Sequence, residues 1–302
     1  MPEVVTLGEC MGVLYPPDPV TLDDARSLLW DIGGAEANMS IALARLGHTA
    51  RFISRVGDDP FGRKVRAVLD AEGVDTSALA TDGGAGTGIF FREWLADGVR
   101  RVYYYRAGSA ASRLAPEDLS PELFAGAKVV HLTGITPALS ASCAAACLRA
   151  AELAKEAGAL ISLDPNYRPR LWGPEAFREA LLPLMRQTDI LLMGHEDARA
   201  ALGVEDEGAM LEAGAELGAR VVVLKRAERG AMALVGGQVY EAPAEPVERA
   251  IDPVGAGDGF DAGFLAGWLR GWDTEASLRL GAKVGAGSVQ ALGDYAGYPV
   301  ER

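Results

Sequence analysis

Positive charge is in short supply in this sequence, with 29 Lys and Arg against 42 Asp and Glu, a net of −13. That balance argues against a general nucleic-acid or anionic-membrane binder, because either would need a dense basic field. It leaves room for a local pocket of arginines around one anionic substrate. No apolar run reaches the ~18 residues of a membrane span, and the opening MPEVVTLGEC lacks the basic, apolar and cleavage segments of a secretory leader. A cytoplasmic location is the expectation, with no nucleic-acid or membrane partner. Cysteine is sparse, three in all, so no disulfide framework is available. Cys143 and Cys147 lie four apart on an expected helix without a nearby histidine pattern, and read as buried or half-buried thiols. Three histidines are equally few. His195 has no second His or Cys to complete a transition-metal set and reads as hydrogen-bonded or solvent-facing; His48 and His131 have no partners for a catalytic triad. Two common phosphate cradles are also missing, GxxxxGK[ST] and a strand–GxGxxG–helix opening, which argues against the kinases built on them.

What is present is an α/β rhythm. Hydrophobic residues make up 49% and charged residues 24% of the 302 positions, an ordinary globular composition. Strands are expected at Val4 to Glu9, Ala50 to Val56, Lys128 to Leu132, Ala159 to Asp164, Asp189 to Met193 and Arg220 to Lys225. Between them lie helical stretches from Ala35 to Leu46, onward from Pro60 to Ala71, Pro137 to Glu156, Pro174 to Met185 and a segment through Leu217. This alternation predicts a mainly parallel central sheet with helices on both faces, a three-layer αβα domain. A hairpin is expected at Ala231 to Tyr240, then two Gly/Ala-rich helices at Asp258 to Gly271 and Thr274 to Gln290. Gly88 to Trp94 and Arg101 to Arg106, aromatic-rich segments flanking Ala96-Asp97-Gly98, have the texture of a separate hairpin. Thr21 to Ile32 reads as a loop or excursion. One domain over 1–302 is expected, with a small β lid from about 12–32 and 84–108 inserted in a core of about 1–11, 33–83 and 109–302.

The strongest local signal is Asp252-Pro253-Val254-Gly255-Ala256-Gly257-Asp258-Gly259-Phe260. Its glycines permit a tight turn with exposed amides, and the small apolar run that follows can open a helix whose free N–H groups face that turn. Such a cradle suits phosphate oxygens, while Asp258 beside it suits a base that accepts a hydroxyl proton. The residues alone leave a second reading open, a glycine-rich turn with Asp258 as a helix cap.

Other candidates are similarly double-edged. Gly33 and Gly34 let backbone approach a ligand and Asn38 offers a donor and an acceptor, but a helix-start turn explains them too. Strand alternation puts Tyr104 and Arg106 on one face, and Arg168 follows a strand end, where α/β proteins bind ligands. Two guanidinium groups suit a carboxylate; surface salt bridges are the alternative. Lys225 at a strand end could neutralise phosphate or simply be exposed.

The 252–258 segment resembles the D-T-x-G-A-G-D signature of the ribokinase-like (PfkB) carbohydrate kinases. Gly33-Gly34-Ala35-Glu36-Ala37-Asn38 resembles that family's G-G-x-x-x-N motif, and Gly57-Asp58-Asp59-Pro60-Phe61-Gly62 its G-x-D-x-x-G turn. The resemblance implies a ribokinase-like fold, ATP and Mg²⁺ as cofactors, Asp258 as base, and Gly255, Ala256 and Gly257 as the anion hole. It also implies that Asp252 and Val254 serve a monovalent-cation site for an ion such as K⁺, and that Gly34 and Asn38, with Gly33, belong to the sugar pocket. Tyr103 to Ala110, His131 to Ser140 and Asp164-Pro165-Asn166-Tyr167-Arg168 resemble the 2-keto-3-deoxygluconate kinase branch. That implies substrate contacts from Tyr104, Arg106, Asn166 and Arg168, with Phe90 standing where a related enzyme has tyrosine.

On the nucleotide side, Lys225 to Gly230 resembles K-x-G-x-x-G with Ala227 in place of the first glycine, so Gly230 is the expected contact. Ala282, Val284 and Ala286 are placed near adenine, or in helix packing. The family's NxxE becomes Gly194-His195-Glu196-Asp197, leaving Asp197 or Glu196 to organise Mg²⁺. The implied activity is phosphorylation of an acidic sugar, 2-keto-3-deoxygluconate, at its C6 hydroxyl. Its galactonate epimer, fructose, ribose or a nucleoside are the alternative acceptors, and a sugar-binding regulator without catalysis is the alternative class. An exposed lid edge would favour a homodimer, or a higher homo-oligomer.

Overall fold

A computed structural model describes residues 1–95 and 100–301. The chain begins with β1 (Val4–Leu7), β2 (Met11–Tyr15), β3 (Leu29–Gly33), α1 (Ala35–Arg45), β4 (Ala50–Gly57), α2 (Pro60–Ala71), β5 (Leu79–Asp82), β6 (Ile89–Trp94) and β7 (Arg100–Tyr105). It continues through β8 (Val129–Thr133), α3 (Ala141–Glu156), β9 (Leu160–Asp164), α4 (Pro174–Met185), β10 (Ile190–Gly194), α5 (His195–Leu202) and α6 (Glu207–Glu216). It closes with β11 (Val221–Lys225), β12 (Ala231–Val235), β13 (Gln238–Ala242), α7 (Ala256–Leu269) and α8 (Thr274–Val289).

Among the described residues the strands form two sheets. The larger runs β13-β12-β11-β10-β9-β8-β1-β4-β5, parallel from β11 to β5 and antiparallel only at the β11–β12 and β12–β13 pairs. Runs such as Val221-Val222-Val223-Leu224 are apolar without a break because both faces of the sheet are covered. The pleat sends alternate residues to opposite sides. Val4, Val221 and Val223 join a core with Leu43 of α1, Phe264 of α7 and Leu278 of α8. Val5, Val222 and Leu224 join another with Cys147 of α3, Phe177 of α4 and Met210 of α6. The result is helix, sheet, helix. On the first side α7 and α8 pack closely, because a Cβ on Gly263 would sit only 2.7 Å from the Leu280 carbonyl oxygen.

The smaller sheet has the order β3-β2-β6-β7. Its own apolar cluster contains Met11, Val13, Tyr15 and Phe90. The β6–β7 pair is antiparallel, and the expected turn at Ala96-Asp97-Gly98 lies outside the described residues. Asp59 joins the two parts of the fold at one corner: it caps α2 by accepting the Gly62 N–H at 2.8 Å and also accepts the Thr87 N–H, just before β6, at 2.7 Å.

Several boundaries differ from expectation. The Thr21–Ile32 stretch ends in β3, whose residues pair antiparallel with β2. The helix expected from Pro137 starts at Ala141, because the Ser140 hydroxyl caps it by accepting the Cys143 N–H at 3.0 Å. The segment through Leu217 is two helices, since Gly203 takes φ +71 and Asp206 starts a new cap. Finally, α7 begins at Ala256, two residues ahead of Asp258, once Gly255 has turned through φ +79.

Candidate active site

The carboxyl ends of β8, β9, β10 and β11 meet the amino ends of α1 and α7, the usual crevice of an open α/β sheet. Asp258 lies in the first turn of α7 and is half-buried. Asn38, in the first turns of α1, donates from Nδ2 to Asp258 Oδ2 at 2.8 Å. Burial pushes the Asp258 carboxyl above its ordinary value, while that hydrogen bond and the positive charge of Arg168 work against the rise. Arg168 is exposed and forms no salt bridge among the described residues, yet its charge reaches Asp258. A carboxylate beside an available guanidinium can hold an anionic ligand's hydroxyl end and its acid in one crevice.

The glycine turn is locked from behind. A Cβ on Gly255 would lie 1.8 Å from the Asp294 carbonyl oxygen, and the Gly255 carbonyl accepts the Tyr298 hydroxyl at 2.6 Å. The Ala256 N–H turns back to the Pro253 carbonyl at 3.2 Å. Of the three expected anion-hole donors, Ala256 is already engaged; the amide of Gly257, and that of Asp258 beside it, are first-turn donors that α7 leaves open. Gly257 is exposed.

Lys225 is more constrained than a phosphate-neutralising side chain. Its Nζ contacts Asp164 at 2.9 Å and Asp261 at 3.0 Å. Burial alone would pull the ammonium down, but the two carboxylates outweigh it and hold it above its ordinary value. Burial favours the neutral form of Asp164 too, yet Lys225 keeps it ionised, whereas Asp261 is pushed far up. Lys225 still lies 3.8 Å from the Cβ position of Gly257, so its charge is felt at the cradle while its protons are held by protein. Asn166, expected on the substrate, instead folds back with φ +44: its N–H reaches Asp164 Oδ1 at 3.0 Å and its side chain also faces Asp164.

The altered NxxE segment is likewise structural at one position. Asp197 accepts the Gly194 N–H at 2.8 Å and the Tyr167 N–H at 2.7 Å, so both of its oxygens serve the start of α5 and the 164–168 turn. Glu196 beside it is exposed. Among the described residues, no three His, Cys, Asp or Glu side chains gather as a metal cage. His195 hydrogen bonds to Glu207 at 2.6 Å.

Among the residues expected to face a sugar, Phe90 and Tyr104 are register partners with ring centroids 5.5 Å apart, and the Arg106 guanidinium lies 5.6 Å from the Tyr104 ring centre. The expected carboxylate-binding role of Arg106 meets a competitor, because its Nη2 is paired with buried Glu9. Ser109 donates to the other oxygen of Glu9 at 2.5 Å. Gly34 is needed where α1 passes Glu9, since a Cβ there would sit 2.1 Å from the Glu9 carbonyl oxygen; a Cβ on Gly33 would meet Asp294 Oδ2 at 2.2 Å. These glycines thus admit protein groups to the pocket wall.

The monovalent-cation assignment does not fit. Asp252 Oδ2 lies 3.0 Å from Arg92 Nη2 and Oδ1 lies 3.6 Å from Arg100 Nε. Asp252 Oδ1 also accepts the Val254 N–H at 3.2 Å, and the Val254 carbonyl accepts the Ser288 hydroxyl at 2.8 Å. Both proposed ligands are engaged, and guanidinium charge already faces the carboxylate. Arg92 and Asp294 were absent from the expected site. Arg92 sits in the aromatic-rich hairpin segment, and Asp294 near the end of the sequence in a stretch with no periodic pattern.

Among the residues expected to meet a nucleotide, Gly230 takes φ +82, and a Cβ there would lie 2.1 Å from the Ala242 carbonyl oxygen. Its glycine is required by the β12–β13 packing whatever it touches. Ala227, in place of a glycine, has φ +51. Ala282 is half-buried, Ala286 buried at the edge of the core and Val284 fully within it, which removes Val284 from an adenine-facing surface.

The model of the pfkB family carbohydrate kinases matches residues 1–301. A 2-dehydro-3-deoxygluconokinase of Thermoproteus tenax is 37% identical over 306 residues, covering 100% of this chain and 93% of the relative. A 2-dehydro-3-deoxygalactonokinase of Haloferax volcanii is 33% identical over 296 residues, 97% of this chain and 93% of that one. Among solved structures, a candidate ribokinase II from E. coli in complex with ATP and Mg²⁺ superposes with a TM-score of 0.91 at 25% identity, covering 99% of this chain and 96% of that one.

Proposed function

The chain belongs to the pfkB family of carbohydrate kinases, and we propose that it phosphorylates 2-keto-3-deoxy-D-gluconate at the C6 hydroxyl with ATP as donor. The observation that carries the acidic-sugar reading is Arg168, exposed, free of a salt bridge among the described residues, and electrostatically coupled to Asp258. A substrate carboxylate would find a charge-assisted partner there, while Phe90 and Tyr104 would pack against the carbon chain. Arg106 contributes through Glu9, shaping the pocket wall.

In the proposed step Asp258 accepts the proton of the C6 hydroxyl as that oxygen bonds to the γ-phosphorus. The bond from that phosphorus to the β–γ bridging oxygen breaks, and ADP leaves with the electron pair. The first-turn amides of Gly257 and Asp258 receive the transferring oxygens, with the Lys225 charge behind them. Mg²⁺ arriving with the triphosphate would offset charge on the phosphoryl oxygens. Such an ion keeps much of its shell as water and phosphate oxygen, so exposed Glu196, acting through water, suits it better than the doubly hydrogen-bonded Asp197. Gly230, Ala282 and Ala286 would border the nucleotide. The four-stranded sheet would close over the sugar as a lid, and its exposed Leu29, Trp30 and Tyr105 support pairing with a second copy.

The galactonate-derived epimer is the second reading. It is supported by the Haloferax volcanii relative and by Phe90, which lacks a hydroxyl to read sugar stereochemistry. A competitive phosphorylation assay offering both epimers, fructose, ribose and adenosine tests the proposal. Preferential transfer to the acidic sugars supports it, and preferential transfer to a neutral acceptor overturns it.

A further inference from the structure

Two buried carboxylates, Asp252 and Asp294, flank the turn that leads to Asp258 and are 2% and 4% exposed. Paired buried carboxylates are stable only beside a compensating cation or with a proton shared between them. Here the cation is part of the chain. Arg92, itself 1% exposed, donates from Nη1 to Asp294 Oδ1 at 3.0 Å and holds Nη2 3.0 Å from Asp252 Oδ2 as an ion pair. Its guanidinium also lies 4.9 Å from the ring centre of Tyr15. Arg100 adds a second positive group near Asp252 and donates to the Ile251 carbonyl.

The two aspartates grip the cradle from opposite sides. Asp252 orders the turn by accepting the Val254 N–H. Asp294 places its carbonyl oxygen where a Gly255 Cβ would otherwise stand, and the Ser288 hydroxyl ties Val254 to the same corner. We infer that Arg92 is a positioning residue for phosphoryl transfer: from β6 of the four-stranded sheet, its fork clamps Asp252 and Asp294, fixes Gly255–Asp258, and makes the enzyme independent of K⁺ or any other monovalent cation. The inference rests on the kinase reading for its catalytic consequence, but its structural half stands alone. Because Arg is a planar fork and a monovalent ion is a point charge, the sheet bearing Arg92 is also mechanically coupled to the cradle.

The test uses the full chain. Turnover and thermal unfolding are measured at constant ionic strength in KCl, NaCl and choline chloride. The wild type is expected to change by less than about twofold in turnover and to keep one unfolding temperature; activation by K⁺ of about tenfold or more overturns the inference. Arg92→Met is expected to lower kcat by about 10²-fold, the scale of losing a preorganising contact, with millimolar guanidinium restoring part of it and K⁺ or guanidinium raising its unfolding temperature. Wild-type kcat in Arg92→Met with no response to either cation overturns it. Should Arg92→Met not fold, Arg92→Lys decides: a retained charge without the fork predicts a lower kcat, an unchanged KM for the sugar and partial rescue by guanidinium, and wild-type kcat rejects the clamp. If no sugar is phosphorylated by the wild type, the kinase reading fails while the unfolding measurements still judge the clamp.

Discussion

Asn38 and Asp258 stand 220 positions apart in the chain, yet the Asn38 amide donates to the Asp258 carboxylate at 2.8 Å. This contact joins the amino ends of α1 and α7 and selects which oxygen of Asp258 remains open. Replacing Asp258 with Asn keeps the shape and removes the base. D258N is expected to lower kcat by about 10²–10⁴-fold, with the unfolding temperature unchanged or raised, since a carboxylate disfavoured by burial is gone. Near-wild-type kcat in a folded variant removes Asp258 from the proposed chemistry.

The same hydrogen bond sets a pH limb. Asn38 donates to the ionised form of Asp258 and so opposes the upward push of burial. Asn38→Ala removes that support, so the Asp258 pKa rises further. The acid limb of kcat/KM should move to higher pH, and activity at low pH should fall more than activity at pH 8. A limb that stays put or moves downward would show that another group titrates there.

Much of the architecture could be read locally, for reasons that particular residues make plain. Val221 to Leu224 is apolar on both faces and has one sensible place, the interior of a parallel sheet. The Gly255-Ala256-Gly257-Asp258 run carries its turn, its helix start and its acid within four residues. Arg92 was illegible for the opposite reason. Its neighbours Phe91, Glu93 and Trp94 suggest a half-exposed hairpin, and its partner Asp294 lies 202 positions away. Arg106 was visible as part of a motif, but nothing near it in sequence announces Glu9, the buried acid that holds it.

Arg168 and Arg106 should therefore separate in mutants. Loss of a charge-assisted hydrogen bond costs about 1.5–3 kcal/mol, so Arg168→Ala should raise KM for an acidic sugar roughly 10- to 100-fold and barely affect a neutral one. Arg106→Ala leaves Glu9 buried without its guanidinium, a change of about 3–5 kcal/mol in stability, and should lower the unfolding temperature. Equal KM effects of Arg168→Ala on acidic and neutral sugars would dismiss it as the carboxylate partner.

Asp294 supplies a stability test with a definite sign. Burial, opposed by Arg92 and reinforced by Asp252 and Asp258, pushes its carboxyl up to about 7 from an ordinary 3.8. Between those values the folded chain keeps a proton that the unfolded chain has released. This group therefore makes folding less favourable as pH rises from about 4 to 7, by at most about 1.4 kcal/mol per pH unit. Asp294→Asn abolishes the effect, so the stability of the variant relative to wild type should climb across that interval and level off above it. A difference that is flat in pH, in denaturant titrations with a constant slope, contradicts the raised pKa.

Ala227 gives the last prediction, and it concerns strain on the nucleotide side. With φ +51 this exposed alanine occupies the left-handed region, where an L side chain meets the following carbonyl at a cost of about 1–2 kcal/mol. Glycine removes the clash but adds freedom to the unfolded chain, a loss of about 0.5–1 kcal/mol. Ala227→Gly should thus be stabilising by about 0.5–1 kcal/mol, read as a higher urea midpoint at unchanged slope. Gly230, three residues on, makes the contrast: its φ is +82 and a Cβ would sit 2.1 Å from the Ala242 carbonyl oxygen, so Gly230→Ala adds a backbone clash to the same dihedral strain. It should lower the midpoint decidedly. If Ala227→Gly instead destabilises the chain, the alanine methyl has a packing role that outweighs its backbone strain.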